Sequence, residues 1–207
     1  MILGILLAAC TIPVSTSLRS EVGMGMDLDQ SCEGTGTRDD DGNVSTFTLT
    51  LEGDVCRVDV TWTGTLASQE DLDAELDRAL DGRPVDRENI TVTAATLTLD
   101  RIAVVDDAGA PVSLPTIPEW AMDLEVGGDT LYSATGVDLQ VLLPAPVTLP
   151  LGTGQIAVIN AAVQGTGSLD GTGAAMLRLP VSSLPATSTP MTIELEGDMA
   201  LDAEVGL

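Results

Sequence analysis

The chain has 207 residues and a formal net charge of −24, with eight basic residues, all of them arginine, and no histidine. So acidic a surface repels phosphate backbones and anionic headgroups, which excludes nucleic acid as a partner and leaves any membrane contact to a covalent lipid. Without histidine or lysine there is no Ser-His-Asp or Cys-His arrangement, no imidazole zinc ligand and no Schiff-base lysine.

At the N-terminus, Ile2 to Leu7 forms a short apolar run that ends in two small residues and a cysteine, Leu7-Ala8-Ala9-Cys10. The run is far too short for a transmembrane helix, which needs about 20 apolar residues. The arrangement resembles the lipobox of bacterial lipoproteins. That resemblance covers residues 1–10 only. It implies a signal peptide over residues 1–9, a diacylglycerol on the Cys10 thiol and residence in the cell envelope. Thr11 follows the cysteine where an inner-membrane retention signal would place Asp, which favours the outer membrane. The plainer reading of the run is a buried N-terminal strand ending in a free thiol. If Cys10 is acylated, Cys32 and Cys56 remain as an even pair, which an oxidising compartment tends to join. The alternative is two unpaired buried thiols.

Residues 10–43 read as an acidic, lipid-anchored tether, rich in Ser, Thr, Gly and Asp and without a sustained period. Within it lie the best candidate ligands for a hard cation, Asp39, Asp40, Asp41 and Asn43, which would suit calcium. The EF-hand spacing fails there, because Thr37 and Thr48 fall where Asp and Glu are required. Asp106 and Asp107 are a weaker candidate of the same kind.

Residues 44–207 read as a single β domain. Phe47, Leu49 and Leu51 alternate with threonines, and Cys56, Val58, Val60 and Trp62 alternate in the next segment, with Glu52-Gly53-Asp54 as the hairpin loop between them. A helix is predicted over about 69–80. Ser68 is its N-cap, Leu72, Leu76, Ala79 and Leu80 form its apolar stripe, and Gly82 with Pro84 closes it. Further strands are predicted at Ile90–Leu99, Ile102–Val105, Ala121–Val126, Leu131–Ala134, Val137–Leu143, Gln155–Gln164, Ala174–Leu179 and Met191–Leu195. A last strand near Met199–Val205 would pair with Met191–Leu195 as a hairpin turning at Glu196–Asp198. Many short strands with one inserted helix predict an all-β fold, an antiparallel sandwich or barrel-like domain.

Leu139 to Leu169 contains no charged residue. Its strands would either be covered on both faces or line an apolar cavity, with Val141, Leu143, Ile156, Val158 and Val163 as the lining. No dinucleotide or phosphate-loop fingerprint is present. The resulting expectation is a non-catalytic envelope lipoprotein, with no cofactor unless calcium, that has a structural role or binds an envelope protein. The alternatives are a periplasmic carrier of an apolar ligand or lipid and a calcium-dependent adhesion module.

Overall fold

The structure, a computed structural model, describes residues 11–40, 43–112, 119–136, 146–165 and 167–206. Within them the fold is the expected β-sandwich, built from two antiparallel sheets. The first contains β1 (Thr11–Leu28), β10 (Thr189–Gly206), β5 (Ile90–Asp106) and β8 (Val147–Pro150), in that order. The second runs β2 (Gly34–Asp40), β3 (Asn43–Glu52), β4 (Val55–Ala67), β9 (Leu169–Pro180), β6 (Glu119–Val126) and β7 (Asp129–Gly136). Among the described residues there are also two helices, α1 (Gln69–Ala79) and α2 (Thr153–Gln164), and two short 3-10 turns.

The β3–β4 hairpin forms as the alternation predicts. Phe47, Leu49, Cys56, Val58, Val60 and Trp62 are buried between the sheets. Leu51, at the hairpin tip, is 45% exposed and leaves the core.

Residues 11–40 are not a tether. Thr11–Leu28 is an 18-residue strand, paired along its whole length with β10 from Thr11↔Gly206 to Leu28↔Thr189. Its inward positions Leu18, Val22, Met24, Met26 and Leu28 are all buried. The Ser and Gly residues that suggest a loop serve packing instead. Ser20 Oγ donates to the Leu66 carbonyl at 2.7 Å, and Gly25 N–H donates to Ser45 Oγ at 2.9 Å, so both join the two sheets. A Cβ on Gly25 would lie 3.0 Å from the Arg38 side chain.

The predicted hairpin at Glu196–Asp198 is also corrected. Thr189–Gly206 is one continuous strand. At Gly197 it meets a β-bulge rather than a turn: Glu196 pairs with Arg101 and Gly197 with Leu99, which leaves Asp100 as the extra residue. Two further bulges turn leucines inward. Leu66 is the unpaired residue between Thr65 and Ala67, and Leu131 is the one between Thr130 and Tyr132.

α1 begins where expected. Ser68 Oγ accepts from the Asp71 N–H at 3.1 Å, while the Asp71 carboxylate accepts from the Ser68 N–H at 3.2 Å, a reciprocal capping box. Its C-terminal turn differs by one residue. Asp81, not Gly82, is the first residue in the left-handed region (φ 54°), and Gly82 follows it there (φ 69°). Asp81 N–H donates to Arg78 O and Gly82 N–H to Asp77 O, both at 3.2 Å, which completes a Schellman closure.

The predicted strand Gln155–Gln164 is a helix. The buried positions Gln155, Ile159, Ala162 and Val163 follow a helical spacing, and three alanines favour the helix over the β-branched preference of the segment. The Gly152 N–H donates to Gln155 Oε1 at 2.6 Å, and Gln155 Nε2 donates to the Thr130 carbonyl at 3.0 Å. Thus α2 is pinned to the β6–β7 hairpin at its start.

The long first sheet is covered by two different layers. Its half beyond Ser20 of β1 faces the second sheet. Its other half is covered by helices: α1 lies against the start of β1, where Thr16 Oγ1 meets Glu75 Oε2 at 3.4 Å, and α2 lies along the start of β5. The predicted strand 137–143 lies outside the described residues.

Candidate functional site

Between the two sheets, where Ser20, Leu66, Leu124 and Leu131 meet, the described side chains pack closely. A void of about 10 Å³, lined among others by Ser20, Leu66, Leu124 and Leu131, is the size that one water would need and too small for an organic ligand. The sandwich interior is therefore packed core along this stretch.

At the far end of the first sheet the helical layer stops short and the apolar interior opens. The α1 C-terminal turn carries the chain through Leu80, Asp81, Arg83 and Pro84 to Val85, and this loop stands opposite Ile12, Pro13 and Val14 of β1 and Val205 of β10. The groove between them is about 440 Å³, within the roughly 300–1,000 Å³ range of small-molecule pockets. Its depth is set by the local fold. The Schellman turn ends α1 at Leu80, Asp81 and Gly82 adopt the left-handed conformation that reverses the chain, and Pro84 prevents the helix from resuming. Val205 is fully buried, whereas Ile12, Val14 and Val85 are half-buried and face the groove. Arg83 and Asp81 are exposed at its rim. Such a lining offers mostly aliphatic contact, with the Asp81 carboxylate and the Arg83 guanidinium at the edge, which suits a hydrocarbon chain with a polar end.

A shallower trough of about 180 Å³ lies on the outer face of the second sheet, where Ala174 and Met176 form a low floor between Asp59 and Asp123. Arg57, two residues from Asp59 on the same strand, donates to its carboxylate at 2.9 Å and is raised in pKa chiefly by that hydrogen bond.

The sequence candidates distribute as follows. Cys10 lies outside the described residues. Cys32 and Cys56 form a disulfide with a Cα–Cα separation of 5.6 Å, and both are fully buried. Cys32 adopts φ 47° at the end of a turn fixed by Asp29, whose carboxylate accepts from the Ser31 N–H at 2.7 Å. The hydrogen bonds from Ser31 hold the Asp29 pKa below the ordinary carboxylate value. Asp39 and Asn43 sit on either side of the β2–β3 turn, on the adjacent register pairs Asp39↔Val44 and Asp40↔Asn43, while Asp41 lies outside the described residues. Among the described residues no three His, Cys, Asp or Glu side chains gather into a metal-binding group. Asp106 serves a turn: its Oδ1 accepts from the Ala108 and Ala110 N–H groups, both at 2.9 Å.

Of the expected apolar lining, Val141 and Leu143 lie outside the described residues. Ile156, Val158 and Val163 are on α2 rather than on cavity-lining strands. Val163 is fully buried in the core, Ile156 and Val158 pack against it, and none of the three borders the groove or the trough. The groove residues Ile12, Val14 and Val85 have only a faint sequence signal, the two-residue alternation Ile12-x-Val14.

No protein-family model matches the chain, and no curated protein matches it either. Among the described residues no helix is long and apolar enough to cross a membrane.

Proposed function

We propose that this protein is a non-catalytic cell-envelope lipoprotein, anchored through an acylated Cys10 and acting as a structural or protein-binding module. The observation that carries the reading is Leu7-Ala8-Ala9-Cys10 at the end of an apolar run. The Cys32–Cys56 disulfide supports it, because such bonds persist in the oxidising compartments that exported proteins reach. A surface of net charge −24 adds no electrostatic attraction to anionic lipid, so the acyl group supplies the attachment.

A carrier that holds its ligand between the sheets has less support, since among the described residues the void lined by Ser20, Leu66, Leu124 and Leu131 is about 10 Å³. The reading is tested by expressing the gene from its authentic start with radiolabelled palmitate, then fractionating the cells. Label on the wild-type chain, none on Cys10→Ser, and recovery with the outer membrane are expected. An unlabelled protein recovered from the cytosol would overturn both anchor and address.

A further inference from the structure

We infer that the groove between Ile12, Val14, Val205 and the loop Leu80–Val85 shelters an acyl chain carried by Cys10 whenever the protein is off the membrane. The inference rests on the lipoprotein reading above and adds an intramolecular site to it.

Its first support is chain geometry. Residues 1–10 precede the described strand, and Cys10 is joined to Thr11, the first residue of β1. Two extended residues, about 7 Å, separate Cys10 from Ile12 of the groove wall. A thioether-linked chain is therefore attached no more than about 7 Å along the backbone from the groove wall and needs no long linker to enter it.

The second support is chemistry. The wall is aliphatic: Ile12, Pro13 and Val14 on one side, Leu80, Pro84 and Val85 on the other. Hydrocarbon placed there leaves water and covers side chains that are otherwise half-exposed, and both changes are favourable. Arg83 at the rim meets the polar glyceryl or carbonyl end that stays in water.

A third support is what the position excludes. Pro13 lies on the outer strand of the first sheet, where its missing N–H breaks the row of donors that an added β-strand would need. The groove is thus better suited to a hydrocarbon than to a peptide added as a strand. In a bilayer the acyl chain has a larger apolar volume to enter, so the groove is occupied in water and vacated on insertion.

The test compares acylated wild-type protein with full-length Cys10→Ser in aqueous buffer below the micelle threshold of the detergent used. Hydrogen exchange is followed in the peptides covering residues 11–14 and 79–85, with the intact mass read on the same sample. Exchange severalfold slower in the acylated form is expected, and adding phosphatidylethanolamine liposomes should abolish the difference. Val85→Glu should abolish it too, while peptides elsewhere exchange as in wild type. If that variant unfolds, the Cys10→Ser comparison decides alone.

An acylated mass with exchange identical to Cys10→Ser would overturn the inference and leave the lipoprotein reading standing. A mass showing bare Cys10 would remove the lipoprotein reading and this inference with it.

Discussion

The side-chain amide of Asn160 binds both backbone polar groups of Val92, its Oδ1 accepting from the Val92 N–H at 2.7 Å and its Nδ2 donating to the Val92 carbonyl at 3.0 Å. One turn further along α2, Gln164 Nε2 donates to the Ile90 carbonyl at 2.7 Å, and at the other end of this edge the Leu151 N–H donates to Ala95 O at 3.0 Å. β8 pairs only with Thr96–Leu99, so the start of β5 would otherwise present an open edge. α2 takes the place of the missing strand, with side-chain amides in place of a backbone ladder.

Asn160→Ala should therefore cost more than an ordinary surface change. It strands a donor and an acceptor on Val92, a residue only 2% exposed. The expected loss is about 2 kcal/mol, or roughly 4–8 °C in Tm for a domain of this size. Gln164→Ala removes one bond to one carbonyl and should cost less. Thermal unfolding of the two variants followed by circular dichroism checks the order, and equal losses would contradict it.

The disulfide ties the connection between β1 and β2 to the start of β4 across a sequence separation of 24. The chain-entropy relation for a loop of this length gives about 3.5 kcal/mol of stabilisation. Replacing both cysteines by alanine should lower the unfolding free energy in urea by that amount with the midpoint shifted to lower denaturant. An unchanged midpoint would mean that the 32–56 link constrains nothing.

How far the fold could be read from sequence differs between the two sheets, and the difference has a cause. Over Phe47–Leu49 and Cys56–Trp62 the inward positions are apolar and the outward ones are Thr, Arg or Asp, so period-two alternation alone identifies Cys56, Val58, Val60 and Trp62 as core. In β1 the same alternation is broken at Ser20, Gly23 and Gly25, each of which is chosen by a neighbour. Ser20 satisfies a carbonyl of β4, Gly25 makes room for Arg38, and Gly23 lies where a Cβ would come 3.2 Å from Thr192 Cγ2. Their reasons are tertiary, so the sequence alone makes the strand look like a tether. The groove has no clear signature in the sequence for the same reason, since its wall is the start of that strand. α2 misled in the opposite way: Ile156, Val158, Ile159 and Val163 raise local β preference, while the buried face has helical spacing.

Gly197 puts that lesson to a direct test. Read as a turn residue, it would tolerate Asn or Ala with little cost. In the bulge a Cβ would lie 2.6 Å from the Thr98 backbone oxygen, which no side-chain rotation can relieve. Gly197→Ala should destabilise the protein by roughly 1–3 kcal/mol, the usual cost of forcing a methyl into a packed site. Chemical denaturation measures it, and a stability equal to wild type would restore the hairpin.

Glu194, near the same bulge, gives the protein a stability component that falls as pH rises. Burial pushes its pKa above the ordinary 4.5, and the charges of Glu21 and Glu196 push the same way, against the opposing guanidinium of Arg101 at 3.4 Å. A carboxyl whose pKa is higher folded than unfolded binds its proton more tightly in the native state. The stabilisation from that proton is fully present below pH 4.5 and is lost as the pH climbs through the raised native value. At neutral pH the folded chain therefore holds a carboxylate that it would hold more easily protonated. Glu194→Gln mimics the protonated form and keeps Arg101 bonded to Glu196. The variant should melt higher than wild type at pH 7, and its advantage should shrink to nothing once the pH drops below the ordinary glutamate value. Calorimetric scans of both proteins across the acid range read this out. An advantage that grows on acidification would mean that the ion pair with Arg101 outweighs burial and that the native pKa is lowered instead.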